Sequence, residues 1–160
     1  MDQRNINADI DASDLKIAVV VSRFNGVVTD RLLKGAKDAF LRHGGHETGF
    51  TLARVPGAFE IPLVLRELAK TGRYDALVAL AAVIRGSTPH FDYVAAEVSK
   101  GVAHVQLELG VPIGFGVLTC DTLEQAVDRA GAKSGNKGYD ATLAAIETAR
   151  VLSAIRALKD

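Results

Sequence analysis

Residues 77–93, LVALAAVIRGSTPHFDY, join the two features from which the fold can be read. Leu77 to Ile84 is an apolar run with the length and branched content of a buried strand, and it stops abruptly where Arg85-Gly86-Ser87-Thr88-Pro89 bring in turn-forming and hydroxyl residues. His90, Phe91, Asp92 and Tyr93 follow, so one loop at a strand end gathers a guanidinium, hydroxyls, an imidazole, a carboxylate and aromatic rings. In an open α/β sheet ligands bind outside the carboxyl ends of the strands, which marks this loop as the place to look for an active site.

Upstream, Leu15 to Val21 reads as a first buried strand, followed by the loop Ser22-Arg23-Phe24-Asn25-Gly26. From Val27 the spacing turns helical, with Val28, Leu32, Ala36, Ala39 and Phe40 on one face until Gly44-Gly45. Phe50 to Val55 is a second strand. Pro56-Gly57 then turns the chain into a helix over Phe59 to about Lys70, for which Phe59, Leu63 and Leu68 are the expected apolar anchors and Pro62 suits the first turn. The third strand covers Tyr74 to Ile84. Downstream, Tyr93 to Leu109 carries helical spacing at Val94, Val98, Val102, Val105 and Leu109, and Val111 to Thr119 is a fourth strand.

Asp121 and Glu124 have capping-box spacing ahead of a helix whose expected stripe is Leu123, Ala126, Val127 and Ala130. A final alanine-rich helix runs to about Leu158 with apolar residues on more than one face, for which another subunit is the expected cover. Strands alternating with helices require parallel pairing through right-handed crossovers. The fold class expected is therefore α/β, a three-layer α/β/α sandwich on a four-stranded parallel sheet of flavodoxin-like type. Residues 1–14 read as a flexible or partner-bound tail and 15–160 as a single domain.

Composition narrows the function classes. With 160 residues and 48% apolar content the chain can bury one full core. Nineteen basic and nineteen acidic residues cancel, which removes the usual electrostatic reason to expect nucleic acid or an anionic membrane as partner. A single cysteine, Cys120, allows no intrachain disulfide, and no Cys/His cluster has structural-zinc spacing, so the compartment expected is the reducing cytoplasm. The first fourteen residues lack the apolar core of a secretory signal, and no run is long enough to span a bilayer. A mean hydropathy of +0.15 with 24% charged residues is apolar for a small monomer and points to an oligomer interface.

Each candidate residue has a bland reading beside its functional one. His90, on a loop after Pro89, is placed as a titratable imidazole for proton transfer, or as a surface or helix-capping histidine. Ser87 and Thr88 can cap the helix or hold an anion with its first N–H groups. Phe24, flanked by polar residues after a strand, is either a ring that stacks on a flat ligand or a core staple. Glu60 complements a helix dipole, and Arg129 and Lys137 bracket a glycine-rich loop where they either bind phosphate or sit near helix ends. No G-x-G-x-x-G follows a strand and no Walker sequence occurs, so a nucleotide cofactor is not indicated. Cys120 reads as a small buried residue.

Taken together, FN at 24–25, VPGAFEIP at 55–62, AVIRGSTPHFDY at 82–93, GVLTCDTLEQA at 116–126 and RAG with GNKG at 129–138 resemble the lumazine synthase family, in order and over nearly the whole chain from Leu15. Ser87 stands where that family often has an acidic residue, and Cys120 where it often has threonine; neither removes a group the chemistry needs. The resemblance implies condensation of 5-amino-6-ribitylaminouracil with 3,4-dihydroxy-2-butanone 4-phosphate, with small-molecule substrates and no cofactor or metal. It implies that Phe24 stacks on the pyrimidine, that Asn25 with Ala58, Phe59 and Glu60 holds the ribityl chain, and that Ala82, Val83 and Ile84 meet the ring edge through backbone groups. Ser87, Thr88 and Arg129 take the phosphate, Phe115 and Lys137 complete the pocket, and His90 shuttles protons.

The resemblance further implies pentamers with Arg129 and Phe115 donated by a neighbour, and association with riboflavin synthase. The short turn RAGAKSGNKG resembles members that build sixty-subunit shells. Two alternatives stand beside it. An archaeal-type riboflavin synthase is opposed by the intact Phe24 and RGSTPHFDY loop. A non-catalytic flavin-binding or cargo shell protein would be expected to lack His90 or Arg129, and both are present.

Overall fold

The computed structural model describes residues 4–158, and among them four strands form one sheet: β1 (Ile17–Ser22), β2 (Phe50–Val55), β3 (Ala76–Ile84) and β4 (Ile113–Cys120). They lie in the order β2-β1-β3-β4 and every pair is parallel. The continuous apolar run of β3 follows from its place: β1 and β4 flank it and helices cover both faces, so there is no solvent side to alternate toward. Val78, Leu80 and Ala82 enter one core, and Leu77, Ala79, Ala81 and Val83 enter the other.

The first core is closed by α1 (Gly26–Arg42), α4 (Leu123–Arg129) and α5 (Lys137–Arg156), and the second by α2 (Ile61–Lys70) and α3 (His90–Leu109). The three-layer α/β/α sandwich expected from the alternation of elements is the observed architecture. In α1 the predicted stripe Val28, Leu32, Ala36, Ala39 and Phe40 is wholly buried. Helix α5 lies directly on β4 and α1. A side chain at Gly114 would meet the Ala141 carbonyl, and one at Gly138 the Leu32 carbonyl, so glycine is what allows this close approach.

Helix α2 departs from expectation. Phe59 and Leu63 are largely exposed, and Ile61 and Leu65 are the fully buried anchors, while Leu68 is partly buried. The cause is a 3₁₀ turn at Ala58–Glu60, which precedes α2 and has about three residues per turn, so a 3.6-residue period read from Phe59 runs out of phase. Pro62 does sit in the first turn of α2. Helix α4 starts at Leu123, whose side chain is half exposed, and the capping pair sits one residue later than expected. Thr122 Oγ1 accepts from Gln125 N at 3.1 Å, and Gln125 Oε1 accepts from Asp121 N at 2.9 Å.

Within the chain, α5 buries one face through Ala141, Thr142, Ala145, Ile146 and Ala149. On its other side Leu143, Val151 and Leu152 are partly buried and Ile155 near its end is exposed. The stretch 1–14, of which residues 1–3 lie outside the described residues, meets the body at its end. Ala12 is fully buried and donates its N–H to His43 O at 2.8 Å, and Arg150 Nε donates to Asp11 O at 2.7 Å. Among the described residues no helix is long and apolar enough to cross a membrane.

Candidate active site

The parallel sheet places the ends of β1, β2 and β3 side by side, and the loops that leave them enclose a cleft of about 600 Å³. Two extra rungs carry the pairing past the strand ends: Arg23 N donates to Val55 O at 2.8 Å and Phe24 N to Pro56 O at 3.1 Å. Phe24 is thereby held over the cleft and is 72% exposed, which excludes the core-staple reading. Phe59 and Tyr93 are comparably exposed, so three aromatic rings rim an otherwise apolar hollow.

Asn25 ends the β1 loop in the left-handed conformation, φ 60°, as the residue before α1. Asparagine tolerates this backbone better than most side chains, and its amide also bridges the cleft floor: Nδ2 donates to Ala82 O at 2.8 Å, which leaves Oδ1 as an open acceptor. Glu60 closes the β2 turn by accepting from Gly57 N at 3.0 Å through Oε2, and its second oxygen remains available. Ala58, Phe59, Ala82, Val83 and Ile84 line the same cleft.

His90 is the first residue of α3 and lines the cleft. Its ring is exposed and makes no side-chain hydrogen bond among the described residues, so it does not cap α3. Nor do Ser87 and Thr88: Pro89 precedes α3 as its N-cap and no side chain caps the helix, which leaves the N–H groups of His90 and Phe91 open. Both hydroxyl residues are exposed in the loop beyond the cleft lining.

Phe115, Arg129 and Lys137 are not brought into this cleft. They line a separate concavity of about 230 Å³ along β4, an edge strand on which Phe115 is 44% exposed. Among the described residues Arg129 Nη1 donates only to a carbonyl of its own helix, Gln125 O at 3.1 Å, and Lys137 lies 3.8 Å from Asp140. The large cleft has no Lys or Arg in its lining, whereas the small one has two.

Sequence reading missed Tyr93 and Phe91 as lining residues. The signal was available: Tyr93 is three residues after His90, hence on the same helical face. Among the described residues no group of three His, Cys, Asp or Glu side chains is placed to hold a metal. Cys120 is 4% exposed at the end of β4, and burial pushes its thiol up from the usual value, with Asp121 adding to the shift. A raised value leaves less thiolate at neutral pH. An aromatic disulfide reagent is expected to label the native protein at least about 100-fold more slowly than the unfolded chain. Equal rates would place Cys120 at the surface.

The sequence model of the family described as 6,7-dimethyl-8-ribityllumazine synthase matches residues 14–153. The chain is 56% identical over 150 residues to the 6,7-dimethyl-8-ribityllumazine synthase of Lawsonia intracellularis (strain PHE/MN1-00), covering 94% of this chain and 96% of that relative.

Proposed function

Because the chain belongs to the 6,7-dimethyl-8-ribityllumazine synthase family, we propose that the aromatic-rimmed cleft is where it joins its two small-molecule substrates. The enzyme is a transferase that condenses 5-amino-6-ribitylaminouracil with 3,4-dihydroxy-2-butanone 4-phosphate to 6,7-dimethyl-8-ribityllumazine in riboflavin biosynthesis. The observation that carries the assignment of the site is the convergence of Phe24, Asn25, Ala58–Glu60, Ala82–Ile84 and His90, from three strand ends, on one hollow.

In this proposal the exposed Phe24 ring stacks on the flat pyrimidine, and the backbone of Ala82–Ile84 meets its edge. Asn25 Oδ1 and the free oxygen of Glu60 accept from ribityl hydroxyls. The phosphate sits at the open N-terminus of α3 with Ser87 and Thr88, where N–H groups and the helix dipole favour an anion. Imine formation, loss of phosphate, ring closure and dehydration each move protons, and His90 is the group at the cleft that can both take and give them. These steps are condensations and an elimination, so the proposal includes no cofactor.

Arg129, Lys137 and Phe115 join from a neighbouring subunit of a pentamer, whose edge strand β4 would face the cleft. A sixty-subunit shell, association with riboflavin synthase and a cytoplasmic location extend the proposal, on the short turn at 129–138 and the single buried cysteine. Mixing the purified protein with both substrates is expected to raise the fluorescence of the lumazine only when both are present. Consumption of added lumazine with formation of riboflavin would instead favour a riboflavin synthase.

A further inference from the structure

Arg85 occupies the position where a guanidinium next to a substrate loop invites assignment as a phosphate ligand. Its surroundings give it other work. Nε donates to Asp121 Oδ1 at 2.9 Å, Nη1 reaches Asp92 Oδ1 at 3.4 Å, and the guanidinium carbon lies 4.4 Å from the centre of the Phe91 ring. Both carboxylates and the ring face are thus directed at one cation, and the hydrogen bond it donates to Asp121 raises its pKa above the ordinary arginine value. Arg85 does not line the cleft that holds His90.

Four residues, Gly86 to Pro89, separate Arg85 from α3. They make no side-chain hydrogen bond among the described residues, a Cβ at Gly86 would meet nothing within 4 Å, and Pro89 O accepts only from Asp92 N at 3.1 Å. The loop is therefore held at its two ends. At the first, the Arg85 N–H donates to Cys120 O at 2.9 Å, the last rung between β3 and β4. At the second, the Arg85 side chain returns to Phe91 and Asp92 in the first turn of α3 while gripping Asp121 beyond the end of β4.

We propose that Arg85 is a positioning residue that staples the loop 86–89 and the first turn of α3 to the end of β4, fixing Ser87, Thr88 and His90 without touching substrate. The inference rests on the proposed role of that cleft. An exposed ion pair alone contributes little to stability, but a planar fork shared by two carboxylates and stacked on a ring sets direction as well as charge. Lysine has neither the fork nor the flat face. Losing the staple restores conformational freedom to the loop, and catalytic groups misplaced by about an ångström can cost on the order of 100-fold in rate.

The test compares Arg85→Met, Arg85→Lys, Asp121→Asn and the Arg85→Met/Asp121→Asn double variant with wild type. Steady-state kinetics are read on both substrates, and hydrogen–deuterium exchange of the peptide spanning 92–98, whose amides are hydrogen-bonded within the first turns of α3, is read without substrates. Arg85→Met is expected to lower kcat about 10- to 100-fold and raise KM for the phosphate substrate, with KM for the pyrimidine within about twofold. Exchange in the first turns of α3 accelerates while that of the sheet does not. Asp121→Asn gives the same split to a smaller degree, Arg85→Lys is partly active, and the double variant is no worse than Arg85→Met within about twofold, because both changes break one contact.

Wild-type exchange in the first turns of α3 in Arg85→Met overturns the proposal. So do additive losses in the double variant, which would mean that Arg85 meets substrate itself. If wild type forms no lumazine while exchange still accelerates in Arg85→Met, the staple stands and the reading of the cleft falls.

Discussion

His90→Ala is expected to lower kcat for lumazine formation by about 10² to 10⁴, the range typical of a lost general acid–base group, and to leave measurable turnover. The side chain is exposed, makes no hydrogen bond to the rest of the chain among the described residues, and opens α3 at a position that has no cap to lose. Truncating such a residue usually changes stability by no more than about 0.5 kcal/mol, so the melting temperature should not move. Phe91, the next residue, is buried and keeps the start of α3 in place. Residual activity is expected because, in the proposed site, the Phe24 stack, the Glu60 acceptor and the seat at α3 would still hold two substrates together, and proximity alone is worth a large part of the barrier. KM for both substrates should stay close to wild type, since the imidazole acts on protons that move in the transition state. A variant with kcat within twofold of wild type would remove His90 from the mechanism.

The parts of this structure legible in the sequence are those in which one physical requirement dominates. β3 is read correctly because burial on both faces leaves no choice of residue type along LVALAAVI, and α1 because a single face packs on a flat sheet. The strand-end loops could be assigned to one edge by parallel topology alone, and Phe24, Asn25, Ala58–Glu60, Ala82–Ile84 and His90 do share one cleft. Reading failed where geometry changes within a few residues. The 3₁₀ turn at Ala58–Glu60 rotated the face of α2, so Phe59 and Leu63 point outward and Ile61 and Leu65 inward. The capping pair moved from Asp121/Glu124 to Thr122/Gln125 because Thr122 takes the extended backbone that a cap needs. Arg85 was seen as a charge but not as a hub, since its partners Asp92 and Asp121 lie 7 and 36 residues away and only the fold brings them together.

Co-expressing His90→Ala with Arg129→Ala chains is expected to raise activity well above that of either variant alone. The reason lies in the division of the charges: the His90 cleft has no Lys or Arg in its lining, and Arg129 and Lys137 line the concavity beside Phe115 on the exposed edge strand β4. A phosphate monoester carries up to two negative charges, and α3's N–H groups supply only partial positive charge against them. If β4 of one subunit covers the cleft of the next, each site draws His90 from one chain and Arg129 from its neighbour. In a closed ring assembled at random from equal amounts, about a quarter of the interfaces then pair an Arg129→Ala chain's intact His90 with a His90→Ala chain's intact Arg129. Activity should rise to roughly that fraction of wild type, well above the average of the two homo-oligomers, provided that native mass spectrometry confirms hybrid rings. Hybrid rings no more active than that average would mean that the cation at the phosphate comes from the same chain as His90, and the site would have to be rebuilt within one subunit.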